Sequence, residues 1–111
     1  MATAHPALRM RNRGSHAGLL EIVFSENQSW DEAQEFATSF MAEHGMTLLH
    51  RCDGPDAWLW DVSWGRNAFV FGYDDYPCET VLFSTNLQHQ DALLRLFQEV
   101  GGDRNDPIQH E

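Results

Sequence analysis

Lysine is absent from this chain. All seven basic residues are arginine, set against 17 acidic residues, for a formal net charge of -10. Arg9, Arg11 and Arg13 precede the first acidic residue, so the rest of the chain carries -13. A body of that sign repels nucleic-acid phosphates and anionic membranes and steers basic partners toward itself. Cysteine is nearly as scarce, with Cys52 and Cys78 alone, so no disulfide framework is expected. No apolar run has the length of a secretory signal core or a membrane span, and the default is a reduced, cytoplasmic protein. Gly54, Gly65 and Gly72 are isolated and Gly101-Gly102 follow a helical pattern, which leaves no glycine-rich phosphate loop. G-x-S-x-G and H-E-x-x-H are also missing, as is any aromatic motif flanked by basic residues. These absences lead to the expectation of a protein without a cofactor and without a catalytic role.

What is abundant is aromatic: seven Phe, four Trp and two Tyr in 111 residues, enough for one domain with a sizeable core. The stretch 57–73 concentrates them. At the strand period of two, Trp58, Trp60, Val62 and Trp64 share a face, and Phe69, Phe71 and Tyr73 share one after a short break. This reads as a hairpin. Taking Arg66 and Asn67 as the loop pairs Trp64 with Phe69, Val62 with Phe71 and Trp60 with Tyr73, so both rows fall on one side and form the buried face. A three-residue loop would send one row to the opposite side.

Around the hairpin, residues 19–24 (LLEIVF), 46–52 (MTLLHRC) and 79–84 (ETVLFS) have strand character. Ser29 and Glu32 have the spacing of a capping box. Ala33, Phe36, Ala37, Phe40, Met41 and His44 then recur at helical spacing up to Gly45, a left-handed stop. Thr85 or Asn86 caps a second helix with Leu93, Leu94, Leu96, Phe97 and Val100 on its apolar face. The order β-α-β-β-β-β-α predicts an α+β two-layer sandwich, two helices on one face of a mixed, mostly antiparallel five-stranded sheet. Its first two strands would lie parallel across a right-handed crossover, and the last four would form a meander. Residues 1–18 are expected to be a flexible basic arm, 19–102 the domain, and 103–111 a flexible tail.

Chemistry-bearing groups are sparse. Asp74-Asp75-Tyr76 beside an aromatic wall, with Asp53, Asp56 and Glu79 on neighbouring turns, suggests an acidic rim. Trp58, Tyr73 or Tyr76 would supply an aromatic anchor against a basic protein partner. His50, Cys52 and Cys78, with Asp53 or Asp74, offer zinc-type ligands, but the paired spacings of structural zinc sites are missing, so no metal is expected. In size, acidity and layout the chain is similar to small bacterial inhibitor and immunity proteins, a likeness of class that carries no residue across. The first functional expectation is therefore an interaction protein of that kind. The alternative is a small-molecule or metal-binding domain, or an enzyme, with an aromatic-lined pocket between sheet and helices. Homodimerisation through an uncovered edge strand or aromatic patch is a third route to a partner.

Overall fold

The computed structural model describes residues 9–12, 19–25, 28–75, 78–84 and 86–101. The remainder of the expected arm and tail lies outside them, as does Tyr76. Strand β1 (Arg9–Asn12) is followed by β2 (Leu20–Ser25), helix α1 (Trp30–His44), and strands β3 (Thr47–Asp53), β4 (Ala57–Trp64), β5 (Asn67–Asp74) and β6 (Glu79–Phe83). A 3-10 turn (Leu87–His89) then leads into α2 (Gln90–Glu99). The strands form one six-stranded sheet in the order β1-β2-β6-β5-β4-β3. Every neighbouring pair is antiparallel.

Three expectations need correction. The sheet has six strands, because Arg9–Asn12 pairs with β2, with Met10 packed into the core. It is not mixed: β2 and β3 run the same way, but β6, β5 and β4 lie between them. The hairpin register is shifted by two residues, pairing Trp64 with Asn67, Val62 with Phe69, Trp60 with Phe71 and Trp58 with Tyr73. The loop is Gly65-Arg66, and Gly65 has a φ of 63°, which is where a type II′ turn needs glycine. A slip of two preserves the side each residue faces. Trp58, Trp60, Val62, Phe69, Phe71 and Tyr73 are accordingly all buried, while Trp64 is half-buried against them.

Both helices cover this face. The Ser29 hydroxyl accepts from the Glu32 amide and the Glu32 carboxylate accepts from the Ser29 amide, closing the capping box, and Gly45 ends α1 in the left-handed region. Ala33, Ala37, Phe40 and Met41 are buried, with the Phe40 ring edge-on to Phe71 at 5.6 Å. From α2, Ala92, Leu93, Leu96 and Phe97 complete the core. Among the described residues, no helix is long and apolar enough to cross a membrane.

Six strands about 4.8 Å apart span roughly 24 Å, whereas two helices about 10 Å wide cover roughly 20 Å. One edge of the sheet must stay bare, and it is β3, whose seven residues are all exposed.

Candidate functional site

The uncovered edge creates a groove. Along α1, Asp31, Gln34, Glu35, Thr38 and Ser39 follow helical spacing and so form one flank. That flank faces Trp60 of β4 and Arg51 of β3 across an open groove of about 670 Å³. Arg51 reaches the helix side of the sheet through an irregularity in β3. Leu48 pairs with Val62, but after an extra residue Arg51 pairs with Trp60, and such a bulge reverses the facing of everything beyond it. The Arg51 guanidinium carbon then lies 4.7 Å from the Trp60 ring centroid, a cation–π contact. Its Nη2 is 3.4 Å from Asp53 Oδ2.

Trp60 is only 3% exposed, yet its indole N–H has no hydrogen-bond partner, and neither have Gln34 Nε2 and Trp58 Nε1. A buried polar hydrogen left unpaired costs roughly 1–3 kcal/mol. Trp58 and Trp60 are adjacent, with centroids 4.6 Å apart, and Gln34 and Trp60 both line the groove. All three unpaired atoms are donors; two of them, on Gln34 and Trp60, belong to residues that line the groove and suit it to hydrogen-bond acceptors, whereas Trp58 is not part of the lining. By contrast, Trp64 satisfies its indole N–H on the His44 carbonyl at 3.1 Å.

The expected rim is placed differently. Trp58 and Tyr73 are core residues, so neither ring is an exposed anchor: period-two facing puts them under α1 instead of at the margin. Tyr73 Oη donates to the Gln28 carbonyl at 2.7 Å. Burial first, then the neighbouring Asp75 and Cys78, push its hydroxyl above the ordinary phenol range. Asp53, Asp56 and Asp74 are exposed and Asp75 is half-buried. The turn at 53–56 and the loop after β5 do meet, since the Asp75 amide donates to the Asp56 carbonyl at 2.8 Å.

Glu79 pairs directly with Asp74 across β5 and β6, and on that outer face Arg11 donates to it at 3.0 and 2.8 Å and to Glu21 through Nε at 2.7 Å. Arg9 approaches Glu79 at 3.4 Å. Glu79 foremost, with Glu21, holds the Arg11 guanidinium above its ordinary range against the opposing effect of burial.

His50 Nδ1 is 3.9 Å from Asp61, Cys52 is exposed on the edge strand, and Cys78 Sγ donates to the Asp75 carbonyl at 2.9 Å. Among the described residues, no three His, Cys, Asp or Glu side chains are grouped to hold a metal ion.

The residues that line the groove were not foreseen as a site. Asp31, Gln34, Glu35, Thr38 and Ser39 read as the ordinary solvent side of an amphipathic helix, and the placing of Arg51 depends on a bulge that periodicity does not show. Compared with protein-family models, with curated proteins and with solved structures, the chain finds no match.

Proposed function

We propose that this protein is a small-molecule-binding domain whose site is the groove between α1 and the β3–β4 edge. The observation that carries this reading is the pair of buried, unpartnered donors on groove-lining residues, Gln34 Nε2 and Trp60 Nε1, with Trp58 Nε1 also unpaired; among the described residues the other buried side-chain polar atoms find partners. Thr80 Oγ1, for example, bonds Gln28 Oε1 at 2.7 Å. A ligand acceptor received by Trp60 and Gln34 would remove their desolvation penalty, and Arg51 would add charge. Because the site includes an indole, a metabolite library screened by intrinsic fluorescence and thermal shift tests it. A true ligand raises the melting temperature and changes emission, and Arg51→Met weakens it. No response across the library counts against the reading.

A second reading, an inhibitor or immunity-type protein that engages a basic protein, is favoured by the meeting of the 53–56 and 74–75 turns at one end of the sheet. It predicts a complex that weakens steeply with salt and is lost in Asp74→Asn with Asp75→Asn. Recovery of the same proteins by that double variant would dismiss it. The bare β3 edge gives homodimerisation its route, and sedimentation at several concentrations decides whether it is used.

A further inference from the structure

We infer, building on the ligand-groove reading, that the groove recognises a small zwitterion of the amino-acid or dipeptide type, its carboxylate on Trp60, Gln34 and Arg51 and its ammonium at Asp31 and Glu35. The polarity of the two flanks sets the orientation, with Gln34 a donor on the α1 side between Asp31 and Glu35. Trp60 Nε1 can only donate, so its unpaired hydrogen calls for an acceptor. Arg51, stacked on the same indole and 3.4 Å from Asp53 through Nη2, keeps further guanidinium donors that suit a carboxylate, the planar partner it binds best.

The opposite flank has the opposite character. Asp31 and Glu35 are exposed, lie about one turn apart on α1 and line the same groove. Ionised carboxylates only accept. A simple anion would gain from Arg51 but be opposed by Asp31 and Glu35. A simple cation would do the reverse and leave the indole N–H unpaired. Only a molecule carrying both charges is complementary along the whole groove. From Asp31 to Ser39 the helix advances roughly 12 Å at about 1.5 Å per residue, a span that suits one or two amino-acid units. Thr38 Oγ1 donates to the Gln34 carbonyl at 2.9 Å, which leaves its oxygen as an acceptor facing the same space.

The test is calorimetric titration of the full chain with the free amino acids and glycyl dipeptides, their N-acetyl and C-amide derivatives, acetate and inorganic phosphate. At least one zwitterion should bind, with its N-acetyl and C-amide forms about tenfold weaker, the loss of one charge-assisted contact. Glu35→Gln, a change on the exposed helix surface, should weaken the zwitterion and leave its N-acetyl form unaffected. Arg51→Met should weaken both. If acetate, phosphate or an N-acetyl derivative binds as tightly as the parent zwitterion, or if only other library members bind, the inference is overturned while the ligand groove stands. If neither this panel nor the wider library binds, the groove reading itself fails and takes the inference with it.

Discussion

Replacing Arg11 with methionine should remove about 3 kcal/mol of stability. Arg11 is a strand residue in a part of the chain whose charge pattern suggests a mobile arm, and its guanidinium spans three strands, from β1 across Glu21 of β2 to Glu79 of β6. Its side chain is 15% exposed, with Glu21 at 12% and Glu79 at 13%. Exposed pairs contribute roughly 0.2–1 kcal/mol, whereas breaking a buried pair costs about 3–5 kcal/mol because a charge is stranded. Burial of all three groups places this cluster near the lower end of the second range. Methionine keeps much of the alkyl packing, so the loss reports mainly on charge and hydrogen bonds. Urea unfolding followed by tryptophan emission measures it. The midpoint should fall with an unchanged slope, and the melting temperature should drop by roughly 12 °C at about 4 °C per kcal/mol. Pairing the change with Glu79→Gln should give a coupling above about 1 kcal/mol. A loss below about 1 kcal/mol with no coupling would refute the reasoning and mean that β1 is only loosely attached.

Ser29→Ala removes one half of the capping box and should cost about 1 kcal/mol in the same urea experiment. The bonds from Ser29 hold the Glu32 carboxyl below its ordinary value of 4.5. Its contribution is therefore present above that value and lost as the pH falls through the lowered one, a slope that Glu32→Gln should flatten in acid titrations. Gly72→Ala on the outer face should stabilise the fold by roughly 0.5–1 kcal/mol. The added Cβ comes within 3.2 Å of Leu59 Cδ2, the far end of a half-exposed side chain, and within ordinary contact of Val81 and Phe83. A net loss in thermal melts would show that Leu59 does not yield. Tyr73 should resist ionisation in a spectrophotometric titration of the folded protein. Its folded pKa is raised, so its contribution is complete below about pH 10 and declines as the pH rises further. Ionisation at the ordinary value before unfolding would contradict the burial described for it.

The parts of the fold that were legible are those written in local periodicity. Trp58, Trp60, Val62, Phe69, Phe71 and Tyr73 alternate strictly, so their common burial follows from the pleat whichever even loop joins the strands. Ser29, Glu32 and Gly45 mark the ends of α1 through bonds that span only a few residues. Long-range features were not legible. β1 has a single apolar inward residue, Met10, and is held by Arg11 bonds to residues as far away as Glu79. β2 could have lain beside β3 on its pattern alone. Its actual place between β1 and β6 buries Ile22, Val23 and Phe24 completely. The groove was hidden for the same reason: in strict alternation Arg51 faces away from Leu48, and the extra residue in β3 brings it round to Trp60.

The central claim, that a ligand completes the unpaired indole of Trp60, is tested most directly by following the four tryptophan indole N–H signals of the nitrogen-labelled protein by NMR as free amino acids and glycyl dipeptides are added. With a binding zwitterion, the Trp60 signal should move downfield as its hydrogen finds an acceptor, while that of Trp64, already bonded to the His44 carbonyl, stays in place. A bound zwitterion that leaves the Trp60 signal where it was would contradict the account.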